Sequence, residues 1–426
     1  MRLQIQPARR LRGRIQVPGD KSISHRALLL GGLADGPCRV HNFLPSADCE
    51  ATLRCLRALG VQIDEHSPTE LTVQGVGLRG LREPEDVLDC GGSATTMRLL
   101  AGILAGQPFL SVLTGREGLR RRPMRRIIEP LRQMGASLWG RDGDRLPPLA
   151  IRGGPLQGID YELPVASAQV KSCLLLAGLF AEGPTIMREP GPARDHTERM
   201  LASMGAELSV NGSVITLTPG ERLSPMEISI PGDFSSAAFF LVAGCLVPEG
   251  EVLIEGVGLN PTRTGLLEVL RSMGADIGVE NERLVGSEPV GDLFVRSSGL
   301  SATEVSGPLV VRMIDEFPAL AVAATQAQGE TVVRDAQELR VKESDRIEAL
   351  VSELRKLGAR IEERADGFVV EGPTPLHGAV VDSRSDHRLA MALAVAGLIA
   401  EGETVIEGAE CIADSFPGFE RVLRSL

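Results

Sequence analysis

Aromatic residues are scarce in this 426-residue chain, which has one tryptophan, Trp139, and one tyrosine, Tyr161. Stacked aromatic cores are thereby excluded, and the interior is expected to be aliphatic. Long apolar runs are missing too. The stretch from Leu389 to Ala400 falls short of the roughly 18 residues that a membrane-spanning helix requires. Excess basic charge is absent, the formal net charge being -11. A broad basic face for phosphate backbones is therefore not expected, and any anion must be captured locally. Cys38, Cys49, Cys55, Cys90, Cys173, Cys245 and Cys411 are scattered without C-x-x-C spacing, so neither a disulfide framework nor a zinc site is signalled. The Arg-rich N-terminus lacks the apolar core of a signal peptide. A reducing, cytoplasmic setting is the expectation.

What the chain has in quantity is a repeat. Six segments begin with a polar or glycine-rich start, continue as an Ala/Leu-rich helical run, turn at a glycine and end in a β-branched strand. They start at Lys21, Gly92, Ser167, Asp233, Asp315 and Asp386, 66 to 82 residues apart. A second helix follows in five of them and stops at Gly60, Gly135, Gly205, Gly274 or Gly358, as a left-handed helix cap requires. Each unit reads as βαβαββ. The sixth is truncated, and the N-terminal strands Leu3–Gln6 and Leu11–Val17 are expected to supply its missing strands.

Val17-PGD and Ile230-PGD are near-duplicates, each preceding three repeats. They place domain crossings near 17–20 and 230–233. Residues 19–231 then form one three-repeat domain, and 1–18 plus 232–426 the other. A chain crossing twice forms a two-stranded hinge, which favours closure on a ligand.

Helix N-termini offer unpaired N–H groups and partial positive charge. The starts here add charged and hydroxyl side chains: Lys21-Ser22-Ile-Ser-His-Arg26, Gly92-Ser-Ala94-Thr-Thr-Met-Arg98 and Ser167-Ala-Gln169-Val-Lys171-Ser. The second domain offers Arg340-Val-Lys342-Glu343-Ser-Asp-Arg346, Asp386-His387-Arg388 and the pair Asp315-Glu316. Starts at equivalent positions of symmetric repeats converge on one face. Two such faces point to substrates bearing several phosphate or carboxylate groups.

Five strings carry a family resemblance: PGDKSISHR at 18–26, RRPM at 121–124, SAQVKS at 167–172, RVKESDR at 340–346 and SDHRLAM at 385–391. With these the chain closely resembles the 3-phosphoshikimate 1-carboxyvinyltransferases, or EPSP synthases, over its whole length. The resemblance implies an α/β fold, the two-domain inside-out α/β barrel of the enolpyruvyl transferases, with six βαβαββ repeats, three per domain. It implies transfer of the enolpyruvyl group of phosphoenolpyruvate to the 5-hydroxyl of shikimate 3-phosphate, through a tetrahedral ketal, with release of phosphate. No cofactor and no metal are implied, nor a nucleic-acid or membrane partner, and a monomer is expected.

Residue by residue, the resemblance nominates Asp315 as the base near the hydroxyl and Lys342 with Glu343 for proton transfer at the enol carbon, the choice between the two being left open, and it counts Lys21 among the catalytic residues. Shikimate 3-phosphate falls to Lys21, Ser22, Arg26, Ser167, Gln169, Arg194, Asp315 and Lys342. Phosphoenolpyruvate falls to Lys21, Ala94, Arg122, Gln169, Arg346 and Arg388. Lys171 reads equally as a solvated charge, and His387 as a residue that orients Arg388.

The alternatives are the sister UDP-N-acetylglucosamine enolpyruvyl transferase, an RNA 3′-phosphate cyclase on related repeats, and a catalytically inactive anion-binding repeat protein. Against the first stands Glu117, where the sister family carries a cysteine; against the second stand the acidic charge and the complete shikimate-site strings. The third would have lost site charges that this chain keeps. Ala94, Glu338 and Asp414 depart from the best-known members, which have glycine, asparagine and lysine there. These departures resemble the second, glyphosate-tolerant class.

Overall fold

The structure, a computed structural model, describes residues 1–426. The chain forms two compact units. The first comprises Gly19–Ile230 with Val285–Glu288, and the second Met1–Pro18, Pro231–Leu284 and Pro289–Leu426.

Six core helices follow the six repeat starts: α1 Lys21–Leu33, α2 Ala94–Ala105 and α3 Ala168–Gly178 in the first unit, α4 Phe234–Leu246, α5 Phe317–Gln326 and α6 His387–Ile399 in the second. Beyond their polar first turns they are apolar all round, and apart from their first residues almost every position is buried. A helix without a polar face belongs inside. The sheets instead alternate buried and exposed residues, as in Pro37–His41 and Leu146–Arg152, so each turns one face to the helices and the other to water. Helices inside and sheets outside is the inside-out arrangement. Between α2 and α3 the packing is close enough to demand glycine: a Cβ on Gly102 would lie 2.1 Å from the carbonyl oxygen of Cys173.

Each complete repeat builds a four-stranded sheet. In the second, Leu88–Asp89 runs parallel to Leu110–Thr114, which pairs antiparallel with Leu146–Arg152, and that with Ser137–Gly140. The glycine stops recur with one geometry. Gly60, Gly135, Gly205, Gly274 and Gly358 have φ of 89, 97, 86, 97 and 91°, and the next residue's N–H donates to the carbonyl five positions back, as in Ala136 to Leu131 at 3.0 Å. This closes the helix end without a Cβ clash.

The expectation for the N-terminal strands needs correction. Arg2–Ile5 does complete the sixth sheet, antiparallel to Thr404–Glu407. Leu11–Gln16 does not; it runs parallel to Gly250–Gly258 and serves as the first strand of the fourth repeat. Reciprocally, Glu227–Ser229 runs parallel to Pro37–His41 and serves as the first strand of the first repeat. Each PGD segment therefore follows a strand that belongs to one unit and precedes a helix that belongs to the other.

The first unit's core is aliphatic, as expected, save for Phe43 and Phe180, and the second departs further. Phe240, Phe416 and Phe419 pack with ring centroids 5.5 to 5.9 Å apart, and Phe317 meets Phe368 edge-on at 6.3 Å. No helix is long and apolar enough to cross a membrane.

Candidate active site

The polar residues at the core-helix starts form one cluster in each unit. In the first unit all three helices begin with a side-chain cap. Asp20 Oδ1 accepts from the N–H of Ile23 at 2.9 Å, Ser93 Oγ from Thr96 at 3.1 Å and Ser167 Oγ from Val170 at 3.4 Å. Capping by the preceding residue leaves the first side chain of each helix, Lys21, Ala94 and Ala168, at its rim.

Lys21 Nζ lies 3.2 Å from Asp48 Oδ2. Arg26, one turn further in, is buried. Its Nε donates to Thr197 Oγ1 at 2.6 Å, Nη1 to the Ser22 carbonyl at 2.9 Å and Nη2 to Ser172 Oγ at 2.7 Å. All three acceptors are neutral. Burial lowers the guanidinium to about 10, Glu198 and Asp20 oppose the fall, and neighbouring Arg194 adds to it. The group remains charged at neutral pH, and a buried charge with neutral partners is costly until an anion arrives.

Gln169 and Arg122 are linked through Arg98, a buried residue of the α2 string that sequence reasoning does not nominate. Arg98 Nη1 donates to Gln169 Oε1, Nη2 to the carbonyl of Pro123 at 2.8 Å, and Gln169 Nε2 to Thr95 Oγ1 at 2.9 Å. Arg98 thus ties the start of α3 to the loop carrying Arg122. Its presence in a motif-like string is the available signal. Ala94 is buried at the first position of α2.

Lys171 is not the solvated charge that a helix-start lysine suggests. It is buried, with Glu198 at 2.6 Å, Glu189 at 3.0 Å and the Ala193 carbonyl at 3.2 Å around Nζ. It braces the segment bearing Arg194 rather than facing solvent. His25 is likewise structural. Its Nδ1 meets Thr52 Oγ1 at 2.7 Å, which meets Thr96 Oγ1 at 2.7 Å, and burial, aided by Lys21 and Arg26, holds the ring well below the ordinary imidazole range.

The second unit's cluster is built on charge pairs. Arg346, buried at the start of the helix Arg346–Lys356, is its centre. Nε meets Asp386 Oδ2 at 2.7 Å, Nη2 meets Glu343 Oε2 at 2.6 Å and Nη1 meets Asp315 Oδ1 at 3.3 Å. Asp315 is also 3.5 Å from Lys342 Nζ and 3.7 Å from Arg388 Nη2. Three cations and three carboxylates interlock. Burial alone would lower Arg346, but Asp386, Glu343 and Asp315 outweigh it and raise the group above its ordinary range. Burial would raise Asp386, yet Arg346 holds it below the usual carboxylate range. Asp386 also caps α6, accepting from the Arg388 N–H at 2.9 Å, and so fixes where Arg388 begins. His387 beside it is buried.

Of the nominated residues, Lys21, Ser22, Arg26, Ala94, Arg122, Ser167, Gln169 and Arg194 lie in the first unit, and Asp315, Lys342, Glu343, Arg346 and Arg388 in the second. Glu338 lies in a short 3₁₀ turn, Gln337–Val341, and Asp414 ends another, Ala409–Asp414.

The chain resembles known proteins over its whole length. Residues 5–423 match the EPSP synthase (3-phosphoshikimate 1-carboxyvinyltransferase) family. Proteins named 3-phosphoshikimate 1-carboxyvinyltransferase from Desulforamulus reducens and Desulforudis audaxviator are 55% and 56% identical to it over 426 residues, covering 100% of this chain and 99% of each relative. Among solved structures, an EPSP synthase from Acinetobacter baumannii superposes with a TM-score of 0.89 at 45% identity, covering 100% of this chain and 98% of that one. The enolpyruvyl transferase NikO from Streptomyces tendae, at 19% identity and a TM-score of 0.80 over 99% and 96% of the two chains, shares the fold. With a match from end to end in sequence and in structure, this chain belongs to the EPSP synthase, or 3-phosphoshikimate 1-carboxyvinyltransferase, family.

Proposed function

We infer that the chain transfers the enolpyruvyl group of phosphoenolpyruvate to the 5-hydroxyl of shikimate 3-phosphate. The observation that carries this is Arg26, a buried cation held by neutral oxygens near the start of α1, an arrangement completed by an anionic group of the acceptor. Ser22, Ser167, Gln169, Arg194 and Lys21 share the acceptor's phosphate and ring. Arg122, Arg346, Arg388, Lys21 and Gln169 bind the donor's phosphate and carboxylate, for which planar guanidinium forks are suited.

In the addition step Asp315 takes the proton of the 5-hydroxyl as its oxygen bonds to C2 of phosphoenolpyruvate. The Lys342 and Glu343 pair protonates C3, giving the ketal. Collapse returns the C3 proton to the Lys342 and Glu343 pair, re-forms the double bond and breaks the bond from C2 to the phosphate oxygen, and the proton held by Asp315 leaves with the phosphate. Lys342, Arg346 and Arg388, 3.3 to 3.7 Å from its carboxylate, hold Asp315 in one orientation for the addition step. The position of the sister family's cysteine holds Glu117, a surface carboxylate paired with Arg121, which supports shikimate 3-phosphate over a UDP-sugar acceptor. The protein is read as a cytoplasmic monomer of the second, glyphosate-tolerant class, with Ala94 as the residue that narrows the donor site.

Phosphate release from phosphoenolpyruvate tests the assignment. Release with shikimate 3-phosphate and none with UDP-N-acetylglucosamine is expected, and the reverse overturns it. Asp315→Ala and Glu343→Gln should each lower kcat by about 10²- to 10⁴-fold while binding of shikimate 3-phosphate changes far less. A variant with near-normal turnover removes that residue from its role.

A further inference from the structure

Arg26 is held by a closed ring of hydrogen bonds. Its Nε and Nη2 reach Thr197 Oγ1 and Ser172 Oγ at 2.6 and 2.7 Å, and those hydroxyls are 2.7 Å from each other. The three side chains come from α1, from α3 and from the helix His196–Ser203. All three are buried.

We propose that Thr197 and Ser172 are positioning residues that set the affinity for shikimate 3-phosphate by fixing the plane of the Arg26 guanidinium against one of its anionic groups. This rests on the reading of Arg26 as a ligand of that substrate. Donor bookkeeping supports it. A guanidinium only donates, so both hydroxyls accept from it. One hydroxyl proton closes the ring, and the other is left to donate elsewhere. The Ser22 carbonyl takes a third guanidinium N–H at 2.9 Å. Of five N–H groups, two then remain, one on each terminal nitrogen, and that pair is what a two-pronged contact with an oxyanion uses.

The neutrality of the anchors is the second part of the argument. The second unit orients Arg346 with carboxylates, and that geometry comes with neutralisation of its charge. Thr197 and Ser172 give comparable orientation while leaving the charge of Arg26 for the ligand. Orientation matters because a long, flexible side chain otherwise loses rotamer entropy on binding. The ring also joins the second turns of α1 and α3 to the helix after Arg194, so side chains assigned to the acceptor share one frame.

The test separates positioning from general damage. Thr197→Val keeps the shape and removes the hydroxyl. It should raise both KM and the calorimetric Kd for shikimate 3-phosphate about tenfold while KM for phosphoenolpyruvate moves less than about twofold. KM for the acceptor should change far more than kcat. Thr197→Ser should restore the affinity, and Ser172→Ala should show the same split more weakly. Arg26→Lys keeps the charge but not the fork and serves as the reference. If it weakens shikimate 3-phosphate while Thr197→Val and Ser172→Ala leave Kd unchanged, the positioning proposal is overturned and Arg26 keeps its ligand role. If Arg26→Lys is itself silent, the ligand reading falls. Parallel loss of both substrates with a lowered melting temperature and no rescue by serine marks a structural role and also overturns the proposal. Should Thr197→Val fail to fold, Ser172→Ala and Thr197→Ser decide by the same split.

Discussion

The two units solve the problem of a buried arginine in opposite ways. Arg346 is surrounded by Asp315, Glu343 and Asp386, whereas each hydrogen bond of Arg26 goes to an uncharged oxygen. The first arrangement is electrically complete before any ligand arrives; the second is not. Charges already paired hold a carboxylate and its cations in fixed places, which a proton transfer at a set position requires. A charge held by dipoles suits capture of an anion.

Removing each arginine is the strongest way to break this comparison. Arg346→Met leaves three carboxylates facing one another and should destabilise the protein by about 3–5 kcal/mol. Arg26→Met leaves two hydroxyls that already bond to each other and should cost no more than about 1.5 kcal/mol. Both variants should lose turnover. Urea midpoints of the two proteins, compared with wild type, give the answer, and equal shifts would mean that the charge environments do not differ as described.

The fold is largely legible in the sequence because its signals are local. A helix such as α4, apolar on every side, announces burial, and Gly60, Gly135, Gly205, Gly274 and Gly358 mark helix ends through a backbone conformation that side chains resist. Strand exchange is not legible. Leu11–Gln16 and Glu227–Ser229 each find a parallel partner far along the chain, and parallel pairing is fixed by closure of the unit rather than by any turn between the strands. At the sites, motif strings mark residues assigned to the substrates and miss those that touch other side chains. Arg98 stands at the end of a helix-start string, yet nothing in that string shows that it reaches Gln169 and Pro123. Lys171 reads as a solvated charge because a helix start says nothing of Glu189 and Glu198, which reach it from elsewhere.

Ala94 sharpens the comparison from the steric side, since selectivity among anions cannot come from charge alone. It is buried at the first turn of α2, and the function proposed above has its methyl group narrow the space for glyphosate, which is longer than phosphoenolpyruvate. Ala94→Gly should raise sensitivity to glyphosate at least about tenfold, with a smaller change in KM for phosphoenolpyruvate. If alanine serves only as the better helix former, inhibition curves at matched substrate saturation will coincide and the steric account fails.

The smallest effect expected is in acid, and there the two units should part company. Burial would raise Asp386, but Arg346 outweighs it, so its folded value lies below that of the unfolded chain. The stability it contributes is present above the unfolded carboxylate range, near pH 4, and is lost as pH falls through the folded value. Glu198 is the reverse case. Burial raises it against the pull of Lys171, so the folded state binds its proton more tightly than the unfolded one. Acidification from the raised value down to the unfolded one therefore adds stability to the first unit. Hydrogen exchange of amides in α3 and α6, corrected for intrinsic rates, should show α3 gaining protection just above pH 4 and α6 losing it below. Glu198→Gln should abolish the gain in α3 and leave the loss in α6. Parallel changes in both helices would show that net charge, rather than these two carboxyl groups, governs the acid response.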